Sequence, residues 1–163
     1  MDVLQKHLAS SVNSNLITDF PLSFSIDLRV AASDIDDLGH MNNAVYVNWL
    51  DQSHLYHMFN LGITPLVMKT TQCAMVVRHS DLSYLSALRF NEIARVGTCV
   101  FACDRKLRLQ RRFQMVRLED RQTVLRGSID YVCIGIKKGK PKRMPEVFSN
   151  AFAVFDQNNN KAE

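Results

Sequence analysis

The chain has 163 residues and a formal net charge of +4, which is the size of one ordinary domain. Hydrophobic residues make up 47% of it and charged residues 22%, so the composition excludes a disordered or membrane-embedded chain and reads as a soluble globular domain. The mildly basic balance suits a phosphorylated small molecule as well as nucleic acid, and no nucleic-acid-binding motif accompanies it, so neither nucleic acid nor membrane is expected as a partner.

Residues 1–20 are polar, rich in Ser and Asn, and read as an N-terminal extension, with a helical turn over Met1–Ala9 and a linker over Ser10–Asp19. The start lacks the basic and apolar regions of a signal peptide, and a cytoplasmic location is expected. No apolar run approaches the ~20 residues a membrane span needs.

The first strand is predicted over Leu22–Ala31, where Phe24, Ile26, Leu28 and Val30 alternate with Ser23, Ser25, Asp27 and Arg29. A polar loop from Ser33 to His40 follows. A long helix is predicted from Asn43 to Leu61, capped by Asn42 or Asn43 and stopped by Gly62, with Pro65 beyond. Its apolar residues fall on nearly every side, so burial on more than one face is expected. Strands are predicted over Cys73–Tyr84, Ile93–Arg105, Arg108–Leu118 and Thr123–Ile136, joined by hairpin-like links that include the turn Glu119–Gln122. Gly139, Pro141 and Pro145 break the pattern, and residues 157–163 read as a frayed tail. One broadly apolar helix needs a sheet to cover it, so the expected architecture is an α+β domain over residues 21–156, with an antiparallel sheet of about five strands curled around one central helix.

The cysteines Cys73, Cys99, Cys103 and Cys133 form no C-x-x-C pair and have no matching histidine set, so free thiols and no metal are expected. His54 and His57 lie a turn apart without a matching acid and are read as surface or core residues.

The segment Asp34-x-Asp36-Asp37-Leu38-Gly39-His40-Met41-Asn42-Asn43-Ala44-Val45-Tyr46, followed by Asp51, resembles the D-x-x-G-H-x-N-N-x-x-Y stretch of the 4-hydroxybenzoyl-CoA thioesterase family of hotdog proteins. The strong motif covers Asp34 to about His54. The order of elements extends the likeness over about residues 22–155. The family implies hydrolysis of an acyl-CoA thioester without metal or organic cofactor, in homodimers or homotetramers whose sheets join and whose sites lie between subunits. Asp36 matches the family's nucleophile or general base. Gly39 matches the turn glycine, and the peptide N–H groups from Gly39 to Asn43 match the oxyanion donors. His40 matches a position where hotdog thioesterases of acyl carrier protein also place a histidine near an asparagine. Asn42, Asn43 and Tyr46 match positions near the site, and Asp51 matches a helix acid that is the catalyst in some relatives. One departure is Asn91-Glu92, where relatives carry a Gly-Asp pair before the third strand.

This chemistry has a physical basis. A thioester has an electrophilic carbonyl and a good leaving group, so a carboxylate that attacks or activates water suffices. A helix N-terminus supplies unpaired N–H groups for the developing oxyanion. Lys137, Lys138, Lys140, Lys142 and Arg143 form a dense cluster suited to the phosphates of coenzyme A, and Lys106, Arg108, Arg111 and Arg112 are further candidate anion contacts. The alternatives are hydrolysis of thioesters on acyl carrier protein, and a silent module that binds acyl-CoA without turnover.

Overall fold

The computed structural model describes residues 18–154. The predicted helical turn of Met1–Ala9 and the tail of residues 157–163 lie outside the described residues.

The strands form where period-two alternation is written into the chain. β1 (Phe24–Arg29) sends Phe24, Ile26 and Leu28 into the core. α1 (Asn43–Asn60) follows, and its N-cap is Asn42, whose side-chain oxygen accepts from the Ala44 N–H at 2.9 Å. α1 ends at Gly62, which sits at φ 82°, a conformation glycine adopts without strain. β2 (Cys73–Tyr84), β3 (Ile93–Cys103), β4 (Arg108–Arg117) and β5 (Thr123–Gly135) complete one antiparallel sheet with β1. Each strand lies within two residues of its predicted bounds.

The strand order is β1-β3-β4-β5-β2. β3–β4 and β4–β5 are hairpins, and Glu119–Gln122 makes the second turn, with Arg121 at φ 60°. The link from β2 to β3 is not a hairpin, contrary to expectation. β2 pairs with β5, and residues 85–92 cross the end of the sheet to reach β3. β1 and β2 are therefore the two edges. At the departure Asn91-Glu92 the turn still forms, because Asn91 takes φ 69° and is held by Arg29 at 3.0 Å.

Two short helices add to the predicted set. α2 (Pro65–Thr71) begins with Thr64 as N-cap and Pro65 at the first turn, so the proline starts a helix as well as ending the break after α1. α3 (Glu146–Ala151) buries Phe148 and leads to buried Phe152.

α1 lies across one face of the sheet. Its buried residues are Tyr46, Trp49, Leu50, Ser53, His54, His57 and Met58, a single stripe at helical spacing. Half-buried Val45, Tyr56 and Phe59 also pack against the core and widen this stripe, while Val47 and Leu55 are exposed. The four cysteines are free, and Cys73, Cys99 and Cys133 are buried. No described helix is long and apolar enough to cross a membrane.

Candidate active site

The loop between β1 and α1 closes on itself. Ile35 bridges to Met41, the Asp36 N–H donates to the His40 carbonyl at 2.8 Å, and the Asn42 N–H donates to the Asp34 carbonyl at 2.8 Å. Asp34 and Asp36 are half-buried, while Asp37 and Leu38 are exposed at the tip. Asp34 also turns back to accept from the Ala31 N–H at 2.9 Å, which marks it as scaffold.

The two oxygens of Asp36 are engaged differently. Oδ1 accepts from the Leu38 N–H at 2.9 Å and the His40 N–H at 3.2 Å, an Asx turn that shapes the loop. Oδ2 carries no hydrogen bond to a described residue and is available for chemistry. Gly39 takes φ 74° at the turn, and a side chain there would meet no neighbour within 4 Å, so its backbone conformation alone calls for glycine.

The five N–H groups from Gly39 to Asn43 are not equally available. Gly39 donates to the Asp36 carbonyl, His40 to Asp36 Oδ1, Met41 to the Leu88 carbonyl at 2.7 Å, and Asn42 to the Asp34 carbonyl. Only the Asn43 N–H, at the first turn of α1, has no acceptor among the described residues. The expected row of oxyanion donors is thereby narrowed to one. The Asn43 side chain is exposed and His40 is half-buried. Asn42 spends its side-chain oxygen on the helix cap.

Tyr46, a candidate substrate contact, is buried at the back of the loop. It is 2% exposed, its hydroxyl accepts from the Leu88 N–H at 2.8 Å, and its ring meets Tyr84 edge-on at 5.4 Å. Asp51 lies on the outward side of α1 between exposed Val47 and Leu55, and partial burial of its carboxyl raises its pKa.

Sequence reasoning missed the brace behind this loop. Arg117 donates to Ser86 Oγ at 3.0 Å and to the Ala87 carbonyl at 2.8 Å, and it pairs with Asp120 at 2.9 Å. It thus fixes residues 86–88, whose Leu88 accepts from the Met41 N–H and donates to the Tyr46 hydroxyl. A lone arginine at a strand end gives no sequence signal for this role.

The lysines sit elsewhere. After β5 the chain turns tightly, with Gly139 at φ 61° and the Gly135 N–H bonded to the Lys140 carbonyl. Gln72, Gly135, Lys137, Lys138, Lys140, Pro141 and Lys142 line a cavity of about 360 Å³. Lys142 Nζ donates to the Thr71 carbonyl at 3.0 Å. Arg143 is exposed and does not line this cavity. The lysine loop adjoins the start of β2 and the end of α2, whereas the Asp36 loop adjoins the far end of β2 through Tyr84 and Leu88. One chain therefore holds the two features toward opposite ends of β2.

A five-stranded antiparallel sheet with one long helix on its face, and a carboxylate loop at that helix's N-terminus, defines the hotdog class of α+β domains. Residues 30–152 match the thioesterase-like superfamily, and the chain belongs to that family. Solved structures share the fold. A 1,4-dihydroxy-2-naphthoyl-CoA thioesterase from Synechocystis is 14% identical with a TM-score of 0.70, over 78% of this chain and 93% of that one. A Staphylococcus aureus protein solved in complex with CoA is 19% identical with a TM-score of 0.74, over 83% and 84%. A DHNA-CoA thioesterase from the same organism is 21% identical with a TM-score of 0.67, over 73% and 78%. The resemblance drawn from Asp36–Tyr46 thus leads to the right family.

Proposed function

We propose that this protein hydrolyses acyl-CoA thioesters, with Asp36 as the reacting carboxylate. The observation that carries the reading is the division of labour at Asp36: one oxygen holds the loop, the other is unengaged beside the start of α1. Oδ2 either attacks the thioester carbonyl, giving an anhydride that water then cleaves, or takes a proton from the water that attacks. In both routes the carbonyl oxygen gains negative charge, which the Asn43 N–H and the positive end of α1 stabilise. The C–S bond breaks and CoA leaves as the thiolate. The Asn43 and His40 side chains are the candidates for orienting water or the acyl carbonyl. Asp51 is the second candidate acid.

The lysine loop is proposed to hold the phosphates of CoA, and this requires a second copy. β2 is an edge strand of 12 residues, and Val77 on it is half-exposed. An unpaired edge of this length is a template for pairing. Two copies related by a two-fold axis and joined antiparallel along β2 would set the Asp36 end of one beside the lysine end of the other. That arrangement gives each CoA a reacting carboxylate from one chain and a phosphate site from its partner.

The test is a panel of aliphatic and aromatic acyl-CoAs, with an acyl carrier protein thioester alongside, assayed with the natural protein, Asp36→Ala and Asp51→Ala. Hydrolysis that Asp36→Ala abolishes and Asp51→Ala leaves largely intact is the expected result. No turnover above background on any acyl group, with CoA still bound, would instead support the silent module.

A further inference from the structure

The buried face of α1 meets a layer of polar side chains that the proposed hydrolysis does not use. Arg111 of β4 is 0% exposed. Its Nη1 contacts His57 Nδ1 at 2.6 Å, and its Nε and Nη2 have no partner. The guanidinium can only donate, so His57 accepts at Nδ1 and carries its proton on Nε2. The Tyr131 hydroxyl, Ser53 Oγ and His54 Nδ1 are also buried without a partner. His54 stacks on Tyr131 at 4.1 Å, and Phe24 stacks on His57 at 5.1 Å, so these rings cannot swing out to water. The Arg111 charge acts on His54, His57 and Tyr131 together, which places the four groups in one electrostatic unit.

Arg111 carries the charge of this unit, and the Asp51 carboxylate acts on Tyr131 without pairing with Arg111. Among the described residues no carboxylate pairs with Arg111; its guanidinium lies 5.9 Å from the centre of the Phe152 ring. Burial lowers the Arg111 pKa to about 10, which leaves it a cation at neutral pH. The neighbouring histidines do not share the charge, since burial and Arg111 hold His57 near a pKa of about 3 and His54 well below its usual value. An isolated buried cation is costly, and buried charges are therefore paired.

We propose that the layer between α1 and the sheet binds a small monoanion on Arg111 Nε and Nη2, with the Tyr131 hydroxyl as a further donor. The shared chemistry is a single negative charge of small radius, either a halide or a short carboxylate. The reading is independent of the thioesterase proposal, because it concerns thermal stability and ion binding rather than turnover.

The experiment measures Tm of the natural full chain at fixed ionic strength while sodium gluconate, too bulky for the layer, is replaced by sodium chloride or sodium acetate. Tm rises by about 3 °C per tenfold increase of the bound anion above its Kd. A rise with chloride assigns a halide site and a rise with acetate a carboxylate site. In Arg111→Met the dependence vanishes, and in gluconate this variant is at least as stable as the natural chain, because the lone buried charge is gone. Crystals of the natural protein soaked in bromide give the reading that needs no variant, an anomalous peak within hydrogen-bond reach of Arg111. The same Tm in all three salts, with no bromide peak at Arg111, overturns the proposal.

Discussion

The two faces of α1 treat polar groups in opposite ways. At its N-terminus the loop from Asp34 to Asn42 is exposed or half-buried apart from Met41, and nearly every N–H in it is matched to a named acceptor. Along its buried stripe Ser53, His54, Arg111 and Tyr131 are sealed from water and left with unpartnered atoms. The first region spends its polar groups on shape, so the few left over, Asp36 Oδ2 and the Asn43 N–H, stand out as chemistry. The second carries a cation that no described carboxylate pairs with, so its surplus is a property of the fold rather than of one loop.

Asp36→Asn breaks the comparison most sharply. Asparagine keeps an oxygen to accept from Leu38 and His40, so the loop holds and Tm stays within about 2 °C of the natural protein. The charge is gone, and kcat on the best acyl-CoA falls by about 10²–10⁴. Steady-state kinetics beside a thermal melt separates the two roles; equal losses in both would make Asp36 a scaffold.

The buried stripe predicts a pH effect next in size. His57 has a folded pKa of about 3, below its unfolded value of 6.5. As pH falls below 6.5 the unfolded chain takes up a proton that the folded chain refuses, so stability is lost from pH 6.5 downward and stops falling on this account near pH 3. Each such histidine contributes up to about 1.4 kcal/mol per pH unit, and His54 is displaced in the same direction. Urea midpoints at pH 7, 6 and 5 measure the slope, and His57→Gln removes one histidine's share of it.

Tyr46→Phe sharpens the boundary between site and scaffold. It removes the acceptor of the Leu88 N–H and costs about 1–3 kcal/mol of stability. KM stays within about twofold of the natural value if Tyr46 is packing, as its burial implies. A large rise in KM with little change in Tm would return Tyr46 to the substrate.

Much of this was legible in the chain. Alternation located each strand, and Asn42 and Gly62 bounded α1, because caps and periodicity are local physics. The carboxylate loop was legible as a motif. Partner choice was not: the pattern of β2 gives its faces but not its neighbour, and only the folded sheet seats it beside β5. Arg111 reads from the sequence as one more candidate anion contact beside Lys106, Arg108 and Arg112, with no sign that it is buried. Period two places it in phase with Leu109, Phe113 and Met115, all buried, and that phase was the available signal. The availability of each loop N–H was hidden for a different reason, since Met41 is taken up by Leu88, which lies 47 positions away in the chain.

The central claim is a hydrolytic site built from the Asp36 loop of one chain and the lysine loop of another. Asp36→Ala and a Lys137/Lys138/Lys140/Lys142→Ala variant, co-expressed under two affinity tags and purified through both, give oligomers with one doubly damaged and one intact site per pair. The account predicts that kcat/KM of this mixed species recovers to about half the natural value, well above either variant alone. Activity no greater than the mean of the two separate variants would contradict it.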